Sequence, residues 1–129
     1  MKKLNQFITE KFRLSKDNLN QYHYHPKTKD ELKQLVDKLI EERGDDADLN
    51  DIDTSEITDM SVLFSDTKFI GDISQWDVSN VTNMSYMFRK CENFTGKGLE
   101  NWNVSKLIHM KYMFDGCTSL KNKPSWYKE

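Results

Sequence analysis

Apolar residues return along this chain on a long period. In residues 73–91, ISQWDVSNVTNMSYMFRKC, they fall at Val81, Met84, Met87, Phe88 and Cys91. Residues 99–117, LENWNVSKLIHMKYMFDGC, repeat the set as Leu107, Met110, Met113, Phe114 and Cys117. Residues 49–67, LNDIDTSEITDMSVLFSDT, carry a worn copy with Ile57, Met60, Leu63 and Phe64, and Thr67 takes the cysteine slot. Met60, Met84 and Met110 lie 24 and 26 residues apart, and Phe64, Phe88 and Phe114 keep the same spacing. Ile52, Trp76 and Trp102 keep it too, and Trp126 opens a fourth unit. Such a period marks units that cannot bury an apolar face alone and must stack on their neighbours.

Within a unit the apolar spacing of i, i+3, i+6, i+7 and i+10 lies close to one face of a helix. Ser55, Ser79 and Ser105 stand just upstream, where a hydroxyl would cap the first N–H groups. The pattern predicts one short helix per unit, followed by extended segments near residues 69–73, 93–94 and 119–121. Those segments would pair as a narrow parallel sheet, with Gly71, Gly96, Gly98 and Gly116 supplying the turns.

Ahead of the repeats, Leu4, Phe7, Ile8 and Phe12 share a face and predict a helix over residues 2–14. Residues 15–20, SKDNLN, read as a polar turn, and QYHYH before Pro26 reads as a short extended segment. The clearest helix comes next. Thr28 and Glu31 form a capping box, and Leu32, Leu35, Val36, Leu39 and Ile40 make the apolar stripe. Lys33 with Asp37 and Lys38 with Glu42 fit as exposed pairs, and Gly44 ends the helix. The expected fold class is therefore α/β: a short leucine-rich-repeat-like solenoid of three repeats and a partial fourth, capped by two N-terminal helices. Residues 1–44 would form the helical cap and residues 45–129 the repeat array.

The recurring motif W-[DN]-V-S-x-[VL]-x-x-M-x-x-M-F-x-x-C, at residues 76–91 and 102–117, resembles the repeat of the BspA-type leucine-rich-repeat-like proteins. The resemblance covers roughly residues 49–126 and leaves residues 1–44 outside. Such repeats are common in bacterial surface proteins and mycoplasma-type lipoproteins. The resemblance implies a repeat solenoid that makes protein contacts, often in adhesion, and it brings no catalytic residues.

Net charge of −2 gives no bulk argument for nucleic-acid or membrane binding. Its distribution is more informative. Residues 45–66 hold eight acids (Asp45, Asp46, Asp48, Asp51, Asp53, Glu56, Asp59, Asp66) and no base, between two segments each of net +3. This acidic band is either a solvated face or a recognition surface that mimics a phosphate backbone. The opening MKKLNQFITEKF has no apolar run of secretory type, so a cytoplasmic protein is expected. Cys91 and Cys117 are then expected as buried thiols that pack as small hydrophobes.

Candidate chemistry is sparse. His23 and His25, at i and i+2 on an extended segment, would face the same way and are the one candidate metal pair. Residues 46–51 begin like a calcium loop, but Asp51 stands where glycine should be and Ile57 where the clamping glutamate should be. The three tryptophans offer a core column or an aromatic ladder for a ligand. No serine has a His/Asp partner at a recognisable spacing, and no phosphate-binding glycine loop is present. No cofactor and no catalytic residue are expected.

The reading is a non-enzymatic protein-binding module of bacterial or phage origin, acting as an adaptor or inhibitor. Its partner would be another protein, with no direct nucleic-acid or membrane binding, and an open edge of the stack could pair with a second copy. The candidate contacts are Asp45, Asp46, Asp48, Asp51 and Asp53 in the acidic band, and Tyr86, Arg89, Lys90, Lys111, Tyr112 and Asp115 on the repeats. The alternatives are a surface-adhesion fragment and a small metal-binding protein or enzyme built on His23 and His25.

Overall fold

A computed structural model describes residues 22–128. The helix expected over residues 2–14 and the polar turn at 15–20 lie outside the described residues. Helix α1 spans Lys29–Arg43, as the apolar stripe predicts. The Thr28 side chain accepts from the Glu31 N–H, and Glu31 Oε1 accepts from the Lys27 N–H at 2.7 Å. Gly44, at φ 98°, closes the helix with its N–H on the Ile40 carbonyl. Leu32, Val36 and Leu39 are fully buried against the first repeat, and Leu35 and Ile40 pack at the edge of the same core. Lys33 and Asp37 meet at 3.0 Å and Lys38 and Glu42 at 3.5 Å, both exposed, so each contributes only tenths of a kcal/mol.

The repeats do not form the α/β solenoid that the spacing suggests. Beyond α1, the described residues hold a 3-10 turn at Leu99–Asn101 and four isolated parallel bridges, and no sheet. The chain instead winds through three stacked coils, residues 49–72, 73–98 and 99–124. The stretch expected as a helix is a series of tight turns in each coil. Two kinds of hydrogen bond alternate along it. Leu63, Ser65 and Thr67 donate back three residues within the coil, to Met60, Val62 and Phe64. Met60, Val62, Phe64 and Asp66 donate across to Asn83, Ser85, Met87 and Arg89 of the next coil, at 2.8–3.1 Å. Coil 2 repeats this onto coil 3: Met84, Tyr86, Phe88 and Lys90 donate to His109, Lys111, Met113 and Asp115.

That alternation explains the departure from a helix. A helix needs each N–H for the carbonyl four residues back, and in coils 1 and 2 every second N–H is taken by the next coil. Val62, Asp66, Tyr86, Lys90 and Tyr112 also take positive φ of 55–61°, which stops helix propagation. The segments near residues 69–73, 93–94 and 119–121 do not form the predicted sheet. They do carry one close crossing: a Cβ on Gly71 would lie 1.9 Å from the Ala47 carbonyl oxygen.

The extended reading of residues 21–25 holds at Tyr24, which bridges Ile52 in parallel, with Asp53 donating to the Tyr24 carbonyl at 2.8 Å. The predicted serine caps are not what orders the coils. The residue two positions earlier does that work: Asp53, Asp77 and Asn103 Oδ1 each accept the N–H of Ser55, Ser79 and Ser105 at 3.0 Å. Asp59, Asp72 and Asn83 do the same for Ser61, Ser74 and Ser85.

The core is columnar. Phe64, Phe88 and Phe114 stack with ring centroids 5.5 and 5.6 Å apart and planes within 2°. Phe69 and Phe94 lie against that column at 4.4 and 4.5 Å. Trp76 and Trp102 are buried, so the tryptophan column is core in these coils rather than an open ladder. Cys91 and Cys117 are both buried and free. Burial raises both thiols, Cys117 to about 11, so neither is readily ionised at neutral pH.

Candidate functional site

The predicted contact residues fall in two places. Most of the acidic band is structural. Arg43 grips Asp51 with two bonds of 3.0 Å and donates to the Asp48 carbonyl at 2.8 Å. His23 Nδ1 lies 3.0 Å from Asp51, His25 Nδ1 lies 3.3 Å from Asp53, and Lys27 pairs with Glu56 at 2.6 Å. Burial alone would raise the Asp51 carboxyl, but the hydrogen bonds from Arg43 and His23 outweigh it and hold the group below its usual range. Asp48 accepts from Asn50, and Asp53 and Asp59 order their serine turns. Residues 23–43 thus meet Asp51, Asp53 and Glu56, so this part of the band does not lack partners. Asp45 and Asp46 stand exposed at its edge.

The two histidines do not converge on one point, because each is occupied by a different carboxylate. Among the described residues no three His, Cys, Asp or Glu side chains are grouped to hold a metal ion. A polar depression of about 520 Å³ lies beside the Arg43–Asp51 pair, lined also by Tyr22, Asp48, Asn50 and Gln75. Arg43 and Asp51 are bonded to each other there, and the Asp48 carboxylate accepts from Asn50.

The second place is the outer side of the turn series. Tyr86 and Tyr112 occupy the same slot of coils 2 and 3, and Val62 fills it in coil 1. Their rings lie 5.5 Å apart at 38°. Tyr112 is 51% exposed and Val62 43% exposed. Lys111 Nζ sits 5.2 Å from the Tyr112 ring centroid. Arg89 and Asp115 approach to 3.8 Å, and the Lys90 N–H donates to the Asp115 carbonyl at 2.7 Å. Six residues singled out on two different repeats are therefore brought onto adjacent coils. Sequence reasoning did not find Val62 as the third member of that column. The 24-residue spacing from Val62 to Tyr86 was the available signal.

Backbone geometry sets this face apart. All three residues of the column have φ of 55–61°, a left-handed conformation that Val and Tyr rarely take. A left-handed residue with a Cβ costs roughly 1–2 kcal/mol. In the neighbouring left-handed slot, coil 3 carries Gly116, at φ 78°, where coils 1 and 2 carry Asp66 and Lys90. That neighbouring slot is exposed in all three coils and takes glycine in one of them, whereas the column slot carries valine and two tyrosines.

No helix of the described residues is long and apolar enough to cross a membrane. No curated protein and no solved structure matches the chain. A family model does match, over residues 31–128, which takes in α1 from its third residue and all three coils. The chain belongs to the family described as Mycoplasma protein of unknown function, DUF285.

Proposed function

We propose that this protein is a non-enzymatic protein-binding module whose contact surface is the column Val62–Tyr86–Tyr112 with its flanking charges. One observation carries the reading. Two tyrosines and a valine are held outward in a backbone conformation that disfavours them, where glycine or asparagine would be more stable. Strain kept at a half-exposed Tyr86 and an exposed Tyr112 is understandable when the rings make a contact. Tyrosine offers a large, stiff contact area at small entropic cost, and Arg89, Lys90, Lys111 and Asp115 supply a polar rim.

The finer resemblance to BspA-type surface repeats fits a role in contact with other proteins, and a cytoplasmic adaptor fits it equally. One experiment separates them. Tagged protein is incubated with mycoplasma extract and, in parallel, with host-membrane extract, and retained proteins are identified by mass spectrometry. The double variant Tyr86→Ala, Tyr112→Ala serves as control. The proposal predicts a stoichiometric partner that the double variant loses while remaining folded. Equal recovery by both proteins contradicts the assigned face, and the extract that supplies the partner places the protein inside the cell or at its surface.

A further inference from the structure

Along the turn series the hydrogen bonds between coils run one way, whereas just outside it Thr82, Ile108, His109 and Ser119 donate back to the preceding coil. Within the series coil 1 donates to coil 2, and coil 2 donates to coil 3, always from four N–H groups at alternate positions. In coil 3 the equivalent N–H groups belong to Met110, Tyr112, Phe114 and Gly116, and none meets an acceptor among the described residues. Phe114 is only 4% exposed, so its N–H lacks a partner in a nearly dry position. Segment 124–128 covers the coil in part. The Tyr127 ring stands edge-on to Phe114 at 5.1 Å, and the Lys128 N–H meets Met110 Sδ at 3.3 Å. It supplies no carbonyl to the four donors.

The opposite end is different. There the acceptor side of coil 1 is closed by α1: Lys33 Nζ donates to the Leu63 carbonyl at 3.2 Å, and Lys29 Nζ donates to Ser61 Oγ at 2.8 Å. One end of the stack is an acceptor edge met by ammonium groups, and the other is a bare donor edge. Two copies meeting by their bare ends would set N–H against N–H. Two copies in line would need α1 to leave, and its Leu32, Val36 and Leu39 are fully buried. Pairing of two copies through an open edge is therefore disfavoured at both ends.

Charge points to the occupant. Coil 3 and the segment that covers it, residues 99–128, hold five lysines against two acids, Glu100 and Asp115; Glu100 accepts from Ser125 and Asp115 lies beside Arg89. We propose that the coil 3 edge binds an acidic polypeptide segment of a partner protein, laid beside residues 110–116 so that its successive carbonyls accept from these four N–H groups. Main-chain bonds give such an added segment its register, and the charges select which segment is taken. Coils 2 and 3 show the shape required, since each already presents four carbonyls to the coil before it.

This edge shares Tyr112 with the tyrosine face, but Tyr86 belongs to that face alone, since its N–H is already bonded to Lys111 of coil 3. The test uses the full chain and a synthetic peptide with the sequence of residues 52–67. That peptide carries four acids and no base and already makes this coil. Amide hydrogen exchange is followed at Met110, Tyr112, Phe114 and Gly116. Saturating peptide should slow exchange at these positions by about tenfold or more. A peptide with Asn and Gln in place of its acids should lose that protection, and Tyr86→Ala in the protein should retain it. Unchanged exchange at the four amides overturns the proposal. Equal protection by the neutral peptide overturns its acidic specificity, and loss of protection in Tyr86→Ala moves binding to the tyrosine face.

Discussion

The Trp76 indole N–H donates to the Leu49 carbonyl at 2.9 Å, tying coil 2 to the opening of coil 1. Trp102 makes the same bond to Ile73 at 3.2 Å, and Trp126 makes it to Leu99 at 2.8 Å. Each tryptophan thus fills the core and also satisfies a carbonyl where one coil begins. Trp76→Phe keeps most of the apolar bulk and orphans the Leu49 oxygen. The expected loss is about 1–3 kcal/mol, read as a lower urea midpoint with an unchanged slope. An unmoved midpoint would show that the bond has no net value.

The phenylalanine column predicts a larger effect. Phe88 touches Phe64 on one side, Phe114 on the other and Phe94 across the coil. Phe88→Ala should cost about 3–5 kcal/mol. Because each coil stacks only on its neighbours, the loss should lower the melting temperature of all three coils together. A variant that melts like the parent protein contradicts the columnar core.

Relief of backbone strain should act the other way. Val62 is half-exposed at φ 55°, so it gives up little burial on replacement. Val62→Asn should stabilise the protein by about 1 kcal/mol, since asparagine tolerates the left-handed region. Thermal unfolding checks the sign. A fall in melting temperature would mean that the valine side chain makes contacts worth more than its strain.

Acid should weaken the stack through Asp72. Hydrogen bonds from the Ser74 hydroxyl and N–H, and from Asn50, hold its carboxyl at about 2, below the ordinary 3.8. A group depressed on folding stabilises the native state above its unfolded value and loses that effect as pH falls through the folded one. The stability gap between the parent and Asp72→Asn should be full above about pH 4 and should close toward about pH 2. Denaturant titrations across that range measure it, and a gap independent of pH removes the charge from the account.

Much of this architecture is visible in the chain before any coordinates. The repeat register, the inward Met and Phe positions and the tryptophan column follow from apolar spacing alone, and α1 announces itself by its cap and stripe. The secondary structure of the repeat does not follow. Spacings of three, six and seven fit a helix and also fit successive tight turns, and burial pattern cannot tell them apart. The deciding signal is polar. Asp or Asn stands two residues before Ser at Asp53, Asp59, Asp72, Asp77, Asn83 and Asn103, and this side chain-to-backbone pairing competes with a helix. The tyrosine column was legible from its register. The partners of Asp51, Asp53 and Glu56 were not, because Arg43, Lys27 and the two histidines lie 8 to 29 residues away in sequence. Left-handed valine and tyrosine could not be read from sequence, since neither residue type favours that conformation.

Native-state amide hydrogen exchange on the free protein tests the central claim most directly. Stacked coils bonded one way along the turn series require slow exchange at Met60, Val62, Phe64, Asp66, Met84, Tyr86, Phe88 and Lys90. They also require much faster exchange at Met110, Tyr112, Phe114 and Gly116, whose N–H groups have no acceptor among the described residues. That contrast between equivalent positions is the predicted result. Equal protection in all three coils, or unbroken protection through residues 81–91 as in a helix, would contradict the account.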